Sequence, residues 1–260
     1  MLSLSTSIGA VVASVTLAIG ALWVIQWLWE PGRRRSHNDV IGPSVGVIGT
    51  TYAVIVAFML SGVWSNFQAA LRNSEFEANS LVSLGRLGRS FPSPEREEIA
   101  TLTREYAKDM IVREWPAMAR KQLSPHGHEI MMQLWTLLPT TRTTTPQQAA
   151  ALQQALSELS DMSQHRRIRV LESRTELPNI LWVVLLCGAG ITIGASCLFG
   201  VEDFKIHAFQ VGALSLTIAI VLVAIADIDH PFDGIVHVSP TSFQYALDTL
   251  EETSPGQATE

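Results

Sequence analysis

Four separate stretches of this sequence are each long and apolar enough to cross a bilayer, and few folds can accommodate that. A helix rising 1.5 Å per residue needs about 20 apolar residues to span a hydrocarbon core. The stretches are residues 8–29, 42–64, 180–201 and 207–226. Their ends carry the expected markers. Trp23, Trp27 and Trp29 close the first, where indoles favour the headgroup level, and Arg33, Arg34 and Arg35 follow at once. Pro43 suits the first turn of the second and Trp64 its far end; Pro178 precedes the third, which contains Trp182. Asp227, Asp229 and Pro231 stop the fourth, in which Gln210 is the one strongly polar side chain away from the ends. A buried helix of a soluble protein can mimic one such run, but not four flanked in this way. The chain is 16% charged against about 25% for a soluble domain. Met1–Ser7 carries no Lys or Arg, and the first run exceeds the roughly 7–15 residues of a signal-peptide core, so it reads as a retained helix.

The intervening residues, 65–179, are polar and read as helix throughout. Phe67, Leu71, Ala78, Leu81 and Gly85 recur at three- and four-residue steps, which extends the second span into a stem. Ser93-Pro94 supplies an N-cap and a proline for a helix whose first turn holds Glu95, Glu97 and Glu98. Pro116 kinks or ends it, and Ser124-Pro125 opens a shorter helix ending near Leu138. Thr145-Pro146-Gln147-Gln148 is a capping box opening a long helix to Leu177, with Arg166, Arg167, Arg169 and Arg174 near its end. The expected fold is therefore all-α: an integral membrane protein with four transmembrane helices and a helical extramembrane region inserted between the second and third. Its parts are helices 1 and 2 in 8–64, the extramembrane region in 65–179, helices 3 and 4 in 180–226, and a C-terminal segment, 227–260, ending in a disordered tail.

A net charge of −6, spread along the chain, offers no concentrated basic surface for nucleic acid. Cys187 and Cys197 lie ten residues apart in one apolar run, about 15 Å along a helix, too far to form a disulfide. Four spans put both termini and the 65–179 region on one side. Arg72, Arg166, Arg167, Arg169 and Arg174 on that side stand against Arg33, Arg34, Arg35 and Lys205 on the other, which leaves the orientation open.

Several segments in order resemble one family: Arg34-Arg35-Ser36-His37-Asn38-Asp39-Val40, Gly49-Thr50-Thr51-Tyr52-Ala53-Val54, Asn73-Ser74-Glu75-Phe76-Glu77-Ala78-Asn79, Leu177-Pro178-Asn179-Ile180-Leu181-Trp182 and Asp227-Ile228-Asp229-His230-Pro231-Phe232-Asp233-Gly234. The order is similar to that of the bestrophin-like domain family of bacterial membrane proteins, over roughly residues 20–250. That family is distantly related to bestrophins, pentameric anion channels whose second helix lines the pore. The resemblance implies a multi-pass protein of the cell (inner) membrane, a homo-oligomer (a pentamer by analogy), small anions as permeant species and a cytoplasmic helical region. Animal bestrophins follow the last helix with Pro-Phe-Gly and an acidic run that helps bind calcium. Here Pro231-Phe232 matches, but Asp233-Gly234-Ile235-Val236 replaces the acidic run.

Candidate sites follow from spacing. Gly42, Gly46, Gly49, Ala53 and Ala57 share one face of span two, and small residues allow close helix packing; Gly190 and Gly194 repeat the pattern in span three. Thr51, Ile55, Phe58 and Gly62 share another face, which either lines a constriction in a ring of subunits or packs within a bundle. Arg33, Arg34 and Arg35 with His37 form either an anion vestibule or a headgroup anchor, and Asn38 or Asp39 is a helix N-cap. Asp227, Asp229 and Asp233 around His230 are either hard-cation ligands or an interfacial stop. Glu75 and Glu77 are expected to be solvated or paired with Arg72. No Ser-His-Asp order, phosphate loop or zinc motif is present, so neither an enzyme nor a cofactor is expected.

Overall fold

The structure, a computed structural model, describes residues 4–252. In chain order these form α1 (Leu4–Leu28), α2 (Pro31–Arg35), α3 (Asn38–Gly88), α4 (Glu95–Asp109), a π-helical turn (Met110–Glu114), α5 (Trp115–Met118), α6 (His126–Thr140), α7 (Pro146–Glu172), α8 (Asn179–Cys197), α9 (Phe204–Ile228) and α10 (Thr241–Glu252). No strand occurs among the described residues. Helices α1, α3, α8 and α9 are long and apolar enough to cross a membrane, so the fold is the four-span all-α fold expected. The tail expected to be disordered lies outside the described residues, apart from its approach. That approach contains α10, which sequence reading had not separated from the C-terminal segment.

The chain divides into two compact units. The first comprises the residues through Ser65, Glu176–His230 and Gly234–Val236. In it α1 packs on α9 through small residues. The Ser14 and Ser215 hydroxyls meet at 3.0 Å, and a Cβ on Gly212 would lie 3.6 Å from Ile19 Cδ1. Such close approach gives dispersion contacts where no hydrophobic drive separates helix from lipid. Ala18, Leu22, Cys197 and Val211 form one core of this unit, and Val63, Leu185 and Ile225 a second. Cys187 is exposed and Cys197 buried, and neither is bridged. Trp23, Trp27 and Phe209 point outward, as lipid-facing side chains do.

The second unit comprises Asn66–Thr175, Pro231–Asp233 and the residues from His237 onward. Its core includes Leu81, Leu84, Ile99, Leu134, Leu159, Met162 and Phe243, each buried. The α7 start follows the capping signal. Thr145 Oγ1 accepts from the Gln148 amide at 3.2 Å, while Gln148 Oε1 accepts from the Thr144 amide at 2.8 Å, one residue before the position of a standard box. The start of α4 departs from the expectation. Pro94 takes the cap position and Ser93 Oγ instead donates to Glu97 Oε1 at 2.8 Å. At Pro116 the expected disruption takes the form of the π turn immediately upstream, since proline offers no N–H to the carbonyl four residues back. Helix α7 stops at Glu172 rather than Leu177. Of the 51 residues of α3, those to Ser65 belong to the first unit and those from Asn66 to the second.

Candidate functional site

Within the first unit the span portion of α3 presents a stripe that neither candidate face anticipated. Tyr52 and Val63 are buried, with Val56 and Met59 packed on the core between them. Tyr52 Oη donates to the Leu185 carbonyl at 3.1 Å, and its ring lies over Gly188, where a Cβ would fall 2.5 Å from Cδ2. Gly188 is thus a required small residue that the sequence reading passed over. The candidate lining face flanks this stripe on one side. Thr51, Phe58 and Gly62 are exposed, Phe58 at 70%, whereas Ile55 leans onto the Val63–Leu185–Ile225 core. The candidate packing glycines flank it on the other side. Gly46 and Gly49 have open space where a Cβ would stand, as do Gly190 and Gly194 of α8, and Gly42 meets only Phe199 at 3.9 Å. These five glycines are not what packs the helices of a single chain together.

The arginine triplet does not converge. Arg33 lies 3.8 Å from Glu30 and Arg35 pairs with Glu202 at 2.6 Å, both pairs exposed. Arg34 is fully buried and donates from Nη1 to the Cys197 carbonyl at 2.8 Å, and burial holds its guanidinium below the ordinary arginine range. His37 is exposed, its ring 6.5 Å from that of Trp29. Within the chain, Arg34 is a buried tether, and Arg33 and Arg35 stand in two surface ion pairs. Asn38 is also a tether: its Nδ2 donates to the Gly200 carbonyl at 3.2 Å and its Oδ1 accepts from the Gly200 amide at 2.9 Å. A Cβ on Gly200 would collide with the Arg34–Arg35 backbone.

In the acidic cluster after α9, two carboxylates hold backbone amides, as the interfacial-stop alternative implies. Asp227 accepts from the Ile235 amide through Oδ1 and from the Val236 amide through Oδ2, each at 2.8 Å. This clamp holds a turn in which Gly234 has φ +101°, a left-handed conformation that suits glycine. Asp229 accepts from the Leu177 amide at 3.0 and 3.1 Å, and His230 lies 3.9 Å from Glu176. Asp233 falls in the second unit. Both Asp227 and Asp229 are committed to backbone amides, and no group of three His, Cys, Asp or Glu among the described residues is arranged to hold a metal ion.

The second unit contains a buried charge network that sequence reading missed. Glu77 is not solvated: Arg169 reaches its two oxygens at 2.7 and 3.0 Å, and Tyr106 Oη donates to it at 2.6 Å. Glu77 and Arg169 have no exposed side-chain surface. Arg166 joins Glu114 at 3.0 Å, and the Arg169 guanidinium stacks 5.0 Å from the Trp115 ring centre. Burial, then the charge of Glu77, pushes the Tyr106 phenol well up. Burial also lifts the Glu114 carboxyl, against the pull of Arg166 and Arg169. For Arg169, burial is the largest single influence and works against the charge, but the charge and hydrogen bond of Glu77, with Tyr106 and Glu114, together raise the guanidinium. One signal was readable, for Glu77 sits at the helical step between Ser74 and Leu81, on the stem's buried face.

Four helices able to cross a membrane, with a helical region between the second and third, define an all-α membrane-type protein. The Bestrophin-like domain matches residues 12–243, nearly the whole chain, and the protein belongs to that family. No curated protein matches the sequence. Among solved structures, a variant of a bacterial bestrophin homologue from Klebsiella pneumoniae is similar at a TM-score of 0.71 and 14% identity, covering 94% of this chain and 99% of its own. A second variant of that homologue gives 0.64, also at 14% identity, with 95% and 98% covered. A crystal structure described only as a membrane protein gives 0.65 at 14% identity, with 96% and 98% covered.

Proposed function

We propose that this chain assembles with copies of itself, as a pentamer by analogy with bestrophins, into a pore for small anions in the cell's inner membrane, with Thr51, Phe58 and Gly62 of α3 facing the conduit. The observation that carries this reading is the division of labour around α3. The Tyr52–Val63 stripe meets the chain's own helices, and the Thr51–Phe58–Gly62 flank beside it is left uncovered. A ring of phenyl groups with hydroxyls on the same face suits a narrow, partly dewetted passage. Membership of a bestrophin-like family supports the same reading.

The test is ion flux in liposomes holding the purified protein. Phe58→Ala is expected to raise anion flux by removing the bulkiest lining group. Flat flux for every variant would favour a non-conducting scaffold whose helical region binds a partner. A monomeric mass by light scattering in detergent would also exclude the pore, since one subunit's four spans cannot enclose it.

A further inference from the structure

Hydroxyls within the helices of the second unit mostly donate to their own backbone. Ser74, Thr101 and Thr103 each reach the carbonyl one turn back, the ordinary habit of Ser and Thr inside a helix. Ser83 of α3 is half-buried and makes no such bond. It opens instead onto a cleft of about 330 Å³ between α3 and α10, both walls of which belong to the second unit. Asn79, Ser83 and Arg86 line it from α3, and Ser242 and Tyr245 from α10. Steps of three and four residues put each set on one stripe of its helix. None of these five side chains has a hydrogen-bond or ion-pair partner among the described residues. No Asp or Glu lines the cleft, and Arg86 is the one cation among its lining residues.

We propose that this cleft binds a small hydroxylated monocarboxylate of the sugar-acid class, its carboxylate on Arg86 and its hydroxyls on the remaining polar side chains. A guanidinium presents parallel N–H donors that match the two oxygens of a carboxylate. Charge favours a carboxylate over a phosphate monoester, which brings about −1.5 to −2 at pH 7 against a single guanidinium. From Asn79 to Arg86 is about 10 Å along the helix, so one anionic group does not reach both. The groups away from Arg86 therefore meet the body of the ligand. Hydroxyls and an amide both donate and accept, which suits a body that carries hydroxyls of its own. Val82 and Ala246, also in the lining, offer apolar contact to its ring carbons. The volume stands at the lower end of the roughly 300–1,000 Å³ of small-molecule clefts, room for one sugar ring. All of these residues lie in the second unit, so the proposal stands whether or not the assembled protein conducts.

Ligand-observed NMR titration of the full-length protein in detergent tests it, with glucuronate, glucose and glucose 6-phosphate as probes. The three share one ring and carry a carboxylate, an alcohol or a phosphate at the sixth carbon. Glucuronate is expected to bind saturably with Kd on the order of 1 mM, as befits so small a ligand, and glucose about tenfold or more weaker. Arg86 is exposed, so Arg86→Gln should leave the fold intact while weakening glucuronate about tenfold or more, the loss of a hydrogen bond between charged groups. Arg89→Gln, outside the lining, should leave binding unchanged. Tighter binding of glucose 6-phosphate than of glucuronate overturns the carboxylate assignment. No saturable binding of glucuronate, the result expected where a second copy covers the cleft, overturns the site. Equal losses in the two arginine variants overturn it as well.

Discussion

Replacing Glu77 by glutamine removes one charge from a pair with no exposed surface and leaves the shape nearly intact. Arg169 then keeps Glu114 at 3.9 Å as its nearest carboxylate, with sulfur contacts to Met118 and Met110 and the Trp115 ring beneath it. Breaking a buried pair by removing one partner costs about 3–5 kcal/mol, because the other charge stays buried. The glutamine carbonyl still accepts one bond from Arg169 or Tyr106, which places Glu77→Gln near the lower end, about 3 kcal/mol. Against a total stability of about 5–15 kcal/mol this is a large fraction. For a chain of this length it corresponds to a midpoint lower by about 6–12 °C in thermal unfolding of the detergent-solubilised protein. The reasoning also fixes the double variant. Glu77→Gln with Arg169→Met removes the orphaned charge, and an apolar substitute for a buried pair is often neutral. The double variant should therefore be more stable than Glu77→Gln alone, a coupling visible in a double-mutant cycle. A single variant within about 2 °C of wild type, or single effects that simply add, would refute the assignment of a tightly coupled buried pair.

Two further outcomes follow from other parts of the chain. Asp227→Ala leaves the Ile235 and Val236 amides without their carboxylate; Ile235 is half-exposed, so water recovers part of the loss, and the expected cost is about 2 kcal/mol, read as a lower unfolding midpoint with new protease cleavage at residues 233–237. Burial lifts the Glu172 carboxyl above its ordinary range, opposed by the Asn73 amide, so the folded state holds a proton that the unfolded state has already lost. This group's contribution then weakens the fold as pH rises from the ordinary carboxylate value through the raised one, and Glu172→Gln should flatten that part of the pH–stability curve; an unchanged slope would refute the shift.

The spans were legible because crossing lipid imposes a length and a composition that few other constraints override. The α7 cap was legible because Thr145 needs only its own next three residues to act. What was not legible depended on residues far apart in sequence. Glu77 finds Arg169 and Tyr106 only once three helices have folded together, and its position on the apolar grid of α3 was the one local trace of that. Arg34 looked like its two neighbours until Cys197 was placed beside it. Gly188 stood two residues before the noticed Gly190, yet it is the one that Tyr52 covers.

These placements share a cause that bears on assembly. Helix ends and the turns beside them leave backbone amides and carbonyls unpaired, and where the protein covers them a side chain must supply the partner. Polar side chains at span ends are therefore drawn first into caps and tethers, as Asp227, Asp229, Asn38 and Arg34 all are. Ligand chemistry read from clustered polar residues near a membrane span must be discounted for that demand. The apolar faces carry no such demand, so their exposure in one subunit does not by itself separate lipid from a neighbouring copy. Glycine does make that distinction. A helix bathed in lipid gains nothing from Gly46, Gly49, Gly190 and Gly194, since glycine costs about 1 kcal/mol against alanine in a helix and each has open space where a Cβ would stand. A second backbone brought against these faces would use that space, whereas alanine would hold it off. The glycines that fail to pack the subunit are thus the residues on which the homo-oligomer reading makes its sharpest structural demand.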